Sequence, residues 1–163
     1  MVLSVCLGSG CDTPLIQKNM APAIQKGDSP PDLVGQTLDG KEVHLSDYRG
    51  NVIVIIFWKS WCLACRRDLS NMKSLLHAYQ NRFILFAVNI GEPYSTVRTF
   101  KMHFILDFPV LLDTQSVISS AYGVRAWPTT FLVDQEGKVR FITVGAETEP
   151  LRQEINALLQ ANR

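Results

Sequence analysis

The stretch Val52-Ile-Val-Ile-Ile-Phe-Trp-Lys-Ser-Trp-Cys62-Leu-Ala-Cys65 sets the architecture of the chain. Residues 52–58 are all β-branched or aromatic, the composition of a central strand buried on both faces. After the C-x-x-C the pattern turns helical, with Cys65, Leu69, Met72, Leu76 and Tyr79 spaced three or four apart along one stripe. The strand therefore leaves the core, turns at Lys59-Ser-Trp61 and delivers Cys62 to a helix N-terminus. Unpaired backbone N–H groups and the helix dipole favour an anion there, and a thiolate is one. A dithiol presented this way can attack a disulfide through Cys62 and be released by Cys65, which is thiol–disulfide exchange.

A single C-x-x-C has other readings. Zinc needs two further ligands at finger-like spacing, whereas Cys6 and Cys11 lie in the terminal segment and His44, His77 and His103 are scattered singly. Haem attachment needs a histidine directly after the second cysteine, where this chain has Arg66. Two inert core cysteines would not be expected beside Trp61 at a strand–helix turn. Peroxide-reducing enzymes share the surrounding fold, but their usual Pro-x-x-x-Thr-x-x-Cys would need Pro and Thr where Ile55 and Lys59 stand. The redox dithiol is the reading that survives, and it calls for no cofactor beyond the Cys62–Cys65 disulfide itself.

The 163 residues suit one domain with a short extension. An apolar content of 47% against 19% charged residues suits a packed core rather than disorder. With a net charge of +1 and no dense run of Lys or Arg, nothing points to nucleic acid. No apolar stretch approaches the roughly 20 residues that span a bilayer. Residues 1–28 are set apart as an N-terminal segment, and residues 29–163 as the folded domain. Within that segment, the small residues Gly8-Ser-Gly10 before Cys11 resemble the cleavage and lipidation site of a bacterial lipoprotein. Leu7 lies one position too early for that pattern, and a charged n-region is missing. A remnant export signal with a lipid anchor at Cys11 and a frayed terminus both fit.

From Gly27-Asp-Ser-Pro-Pro31, a linker, the chain reads as alternating elements. Leu33 to Leu45 predicts a hairpin about Asp39-Gly40. Ser46 to Gly50 punctuates the approach to the central strand. Phe83 to Ile90 is a second continuous apolar run, so strand, helix and strand make a parallel β-α-β unit. Pro93 opens a helix with Val97, Phe100 or Lys101, and Phe104 along one side. A strand at Phe108 to Leu112 and a short helix through Val117, Ile118, Ala121 and Tyr122 follow, ended by Gly123. Thr129 to Val133 and Lys138 to Val144 pair across Asp134-Gln-Glu-Gly137. A last helix begins near Thr148, with Pro150 in its first turn and a stripe of Leu151, Ile155, Leu158 and Leu159.

Taken together, these features resemble an α/β thioredoxin fold over about residues 30–161. More narrowly, they resemble the TlpA/ResA-like, membrane-anchored thiol–disulfide oxidoreductases of bacterial envelopes. The residues that carry the resemblance are Pro31-Asp-Leu, Asp39-Gly-Lys and Leu45-Ser-Asp in the first hairpin, then Phe57-Trp58 with Trp61-Cys62-x-x-Cys65. To these add Val88-Asn-Ile-Gly-Glu92, Phe108-Pro-Val with Asp113, and Pro128-Thr-Thr-Phe-Leu with Gly137-Lys. The resemblance implies a mixed central sheet flanked by helices, with an N-terminal hairpin and residues 91–122 as the insertion that sets this branch apart. It also implies reduction of disulfides in protein partners, often during cytochrome c assembly with apocytochrome c as substrate. Electrons would come from a membrane thiol reductant, on the periplasmic side of the envelope. Three departures bear on potential and partner choice. Ile56 stands where plain thioredoxins have a buried acid, Leu63-Ala64 replaces the usual Gly-Pro or Glu-Pro, and Ser70 lies where a helix proline is common.

Roles follow residue by residue. Cys62 is the nucleophile and Cys65 the resolving thiol. The uncharged Leu63-Ala64 provides no strong stabilisation of the thiolate, which favours a reductant over a strong oxidant. Pro128 could be an ordinary strand-start proline; the resemblance implies a cis bond facing the dithiol, beside which a substrate strand can pair. By fold position Trp61 and Trp127 line the rim and Trp58 belongs to the core. Asp68 shares the helix face of Cys65, three residues on, and is either a solvated helix acid or a carboxylate that serves the dithiol. A general thioredoxin, a peroxide-reducing relative and a binding module using the rim around Trp61, Trp127 and Pro128 are the alternatives; retention of both cysteines argues against the last.

Overall fold

In a computed structural model that describes residues 24–161, the sequence-predicted elements assemble on one seven-stranded mixed sheet. Cys6 and Cys11 lie outside the described residues, so the lipidation reading does too. The elements are β1 (Val34–Thr37), β2 (Glu42–His44), a 3-10 turn (Leu45–Tyr48), β3 (Ile53–Trp58), α1 (Leu63–Ala78), β4 (Ile84–Ile90) and α2 (Tyr94–His103). They continue with β5 (Val110–Asp113), α3 (Val117–Ala121), β6 (Thr129–Val133), β7 (Val139–Val144) and α4 (Thr148–Gln160). The strand order is β2-β1-β5-β4-β3-β6-β7.

β3 lies inside the sheet and is buried along its whole length, as its unbroken apolar composition requires. It runs parallel to β4 and antiparallel to β6, so the crossover through α1 is the expected β-α-β unit. One face of the sheet, with Val54, Ile56, Trp58, Leu85 and Ala87, packs beneath α1, α2 and α4. The other, with Ile53, Ile55, Phe57, Phe86, Val88 and Phe131, packs against Tyr122. This alternation along β3 is the period of two made visible in a strand that shows no polar residue at all.

Both turns read from the sequence form. Gly40, at φ +80°, closes the first by donating to Thr37 O, and Gly137, at φ +78°, closes the second by donating to Asp134 O. Asp134 also accepts from the N–H groups of Glu136 and Lys138 through its side chain. Several boundaries differ from expectation. β5 begins at Val110 rather than Phe108, because Pro109 has no N–H for the ladder and the pairing starts at Ala87↔Val110. Pro93 is the N-cap of α2 rather than its first residue, and Phe104 caps the other end while stacking on Phe100 at 4.2 Å. Leu45–Tyr48, read as punctuation, makes a 3-10 turn that buries Leu45. In α3 Val117 points to solvent and Ser119 is the buried residue, held because Asp113 accepts the N–H groups of Ile118 and Ser119.

Candidate active site

The turn between β3 and α1 projects the cysteines from the end of the sheet. Cys62 is the N-cap of α1, and its Sγ accepts the Cys65 N–H at 3.1 Å. The two cysteines are joined as a disulfide across a Cα–Cα distance of 5.2 Å. Cys62 retains 9% of its surface and Cys65 none. Of the two sulfurs, the one that accepts an amide at the helix start therefore belongs to the more accessible residue. An unpaired N–H aimed at a sulfur stabilises its anionic form, which is the local chemistry a nucleophilic thiolate needs.

A residue distant in sequence fixes this turn. Glu92, just beyond β4, is buried and accepts from the Ser60 N–H at 2.7 Å, the Ser60 hydroxyl at 2.5 Å and the Asn89 side-chain amide at 2.6 Å. The carboxylate thus ties the β3–α1 turn to the β4–α2 connection. Sequence reading found Glu92 only as part of a family pattern; its role depends on a contact 32 residues away, which no local spacing encodes. Arg66 closes the turn from outside, donating Nε–H to Ser60 O at 2.8 Å with its guanidinium over Phe100 and Phe104.

The Trp127–Pro128 peptide is cis, and the carbonyl oxygen of Trp127 lies 3.9 Å from Cys62 Sγ. Trp61 and Trp127 meet edge to face at 5.8 Å, with Trp61 61% exposed and Trp127 partly buried. Lys59 Nζ sits over both rings, 4.7 Å from the centre of Trp127 and 5.8 Å from that of Trp61. Trp58 is wholly buried. The structure therefore gathers Cys62, Cys65, Trp61, Trp127 and Pro128 at one end of the sheet.

Asp68 is 3% exposed, so it is not a solvated helix acid. It lies one turn beyond Cys65 on the buried face of α1. Thr148, at the start of α4, donates its hydroxyl to Asp68 Oδ1 at 3.4 Å and accepts from Asn71 at 3.0 Å. Burial raises the Asp68 carboxyl to about 6, opposed by the Thr148 hydrogen bond and the Arg67 charge.

A parallel strand–turn–helix carrying a C-x-x-C disulfide, opposite a cis-proline just before the neighbouring antiparallel strand, defines a thiol–disulfide oxidoreductase of thioredoxin fold. The profile of the AhpC/TSA family matches residues 26–142. Thiol-disulfide oxidoreductase ResA of Geobacillus thermodenitrificans is 40% identical over 138 residues, covering 83% of this chain and 79% of the relative. ResA of Bacillus subtilis is 34% identical over 130 residues, covering 79% of this chain and 73% of the relative. Among solved structures, one described as a thiol:disulfide interchange protein DsbE from Chlorobium tepidum superposes with a TM-score of 0.79. It is 35% identical and covers 84% of this chain and 99% of that one. The chain belongs to the AhpC/TSA family of thioredoxin-like proteins and, within it, to the ResA-like thiol–disulfide oxidoreductases.

Proposed function

We propose that the protein reduces disulfides in protein partners of the bacterial cell envelope, with apocytochrome c as the expected class of substrate. The observation that carries this reading is Cys62 at the N-cap of α1, its sulfur accepting the Cys65 amide while the Cys65 side chain is enclosed. In the reduced protein the Cys62 thiolate attacks one sulfur of the partner's disulfide. The new S–S bond forms as the old one breaks, and the displaced partner thiolate takes a proton. Cys65, losing its proton, then attacks Cys62 Sγ. That step releases the second partner thiol and leaves the Cys62–Cys65 disulfide. Two electrons have passed to the partner, and a dithiol reductant at the membrane must return them.

The substrate segment pairs with the backbone at Trp127–Pro128, whose carbonyl already faces Cys62, and lies on Trp61 and Trp127. Asp68 accepts and returns the proton that Cys65 gives up, its raised pKa matching a proton exchanged near neutral pH. No cofactor is called for beyond the dithiol. The names of the ResA and DsbE relatives, which describe thiol–disulfide exchange, support the reaction class. No helix among the described residues is long and apolar enough to cross a membrane.

Capture tests the proposal. Cys65→Ser removes the resolving thiol, so the mixed disulfide on Cys62 should accumulate and its partner be identified by mass spectrometry. Envelope proteins bearing a haem-attachment cysteine pair are the expected catch. Cytosolic partners alone would contradict the assignment.

A further inference from the structure

We propose that Lys59 is a specificity-determining residue that directs the dithiol toward disulfides flanked by a carboxylate side chain. The proposal rests on the reductase reading above and adds the chemistry of the substrate segment. Lys59 leaves the last turn before Cys62, and its ammonium lies on the face of Trp127, the residue whose carbonyl meets Cys62 Sγ. Ammonium and reacting sulfur thus meet the same residue, one at its ring and the other at its backbone carbonyl. A substrate strand laid along Trp127–Pro128 brings a neighbour of its cysteine past this ammonium.

Three observations indicate that the charge is directed at a ligand rather than at the fold. First, no ion pair among the described residues includes Lys59. Second, the carboxylate that reaches this turn, Glu92, is engaged elsewhere, buried on Ser60 and Asn89. Third, Lys59 is half-buried against two indole rings. Part of its hydration is already replaced by the ring faces, so pairing with a carboxylate costs less desolvation than at an open surface. Arg66, on the other side of the turn, adds a second cation outside every ion pair of the described residues, its Nε–H given to Ser60 O. A cationic rim attracts an acidic flank and repels a basic one, and the repulsion contributes to selectivity as much as the attraction. The exposed Trp61 and Leu63 supply apolar contact that does not discriminate charge.

Two disulfide peptides decide the matter, identical except for Glu or Gln on either side of one cysteine. Each is reduced by the full-length reduced protein in single-turnover stopped flow. The Glu peptide should react faster by about three- to tenfold at low ionic strength, and the advantage should collapse near about 1 M salt. It should also collapse in Lys59→Gln and persist in Lys59→Arg, which keeps the charge. A Lys59 that only stabilised the Cys62 thiolate would scale both peptides alike, so the ratio of rates separates the roles. Equal rates for the two peptides in the native protein, or a Glu advantage that survives Lys59→Gln, would overturn the proposal and leave the reductase reading standing. Reduction of neither peptide would remove the reductase reading and this one with it.

Discussion

At the scale of single residues, the two cysteines carry the exchange chemistry, with buried Asp68 as the proposed proton acceptor. Cys62 and Cys65 have the same side chain in unlike settings, one at the helix end and one inside it. In the reduced protein, brief alkylation followed by peptide mapping should label Cys62 well before Cys65; equal labelling would remove the nucleophile assignment. Asp68→Asn should move two observables in opposite senses. Loss of a like charge should lower the apparent thiol pKa, while loss of the proton acceptor should slow resolution of the mixed disulfide near neutral pH. Thiolate absorbance against pH, with stopped-flow turnover of a model disulfide, would reveal both; the values belong to the coupled set rather than to one thiol. Stability supplies an independent check on the same carboxyl. It titrates near 3.8 unfolded and about 6 folded, so the folded state holds the proton more tightly. Native stability should therefore fall as pH rises from 4 to 6, by up to about 3 kcal/mol once both states are ionised. Asp68→Asn does not titrate, so denaturant midpoints of the two proteins should diverge in the variant's favour over that window.

At the scale of elements, the central question is how a turn of four residues is held still. The link between Glu92 and Ser60 answers it, joining the connection after β4 to the one after β3. Glu92→Ala would leave the Ser60 N–H and the Asn89 amide without their acceptor, and should destabilise the protein by about 2–4 kcal/mol. Urea unfolding measures this, and a loss below about 0.5 kcal/mol would mean that the turn is held by something else. The same element separates what was legible in the sequence from what was not. β3, the C-x-x-C, the α1 stripe and the β6–β7 turn are written in neighbouring residues as period, composition and turn chemistry. The burial of Asp68 was legible only as a position on a helix face, because the hydroxyl it meets comes from α4. The settings of Glu92 and Lys59 were not legible. One requires β4 beside β3, and the other requires β6 to bring Trp127 against the turn.

At the scale of the whole molecule, the sheet serves as a frame that brings three separated segments to one end. The β3–α1 turn supplies the dithiol, the loop before β6 supplies the cis-proline and Trp127, and the connection after β4 supplies the Glu92 brace. The surface around them combines exposed Trp61 and Leu63 with Lys59 and Arg66, an apolar floor with cations at its edge. Such a rim suits an extended peptide better than a small molecule, and all of it lies where a partner's disulfide must approach Cys62. In the proposed function, electrons leave through this end toward a partner. That direction requires a low potential of the Cys62–Cys65 couple, which the Leu63-Ala64 spacer favours by offering no charge to stabilise the reduced form. The most direct measurement is equilibration of the purified protein with graded thiol–disulfide buffers, the dithiol being counted by alkylation and mass. The account predicts a midpoint near that of thioredoxin, about −270 mV, with the protein still largely oxidised in glutathione buffer at about −220 mV. A midpoint near about −120 mV, with the protein already reduced in that buffer, would make it an oxidant and contradict the account.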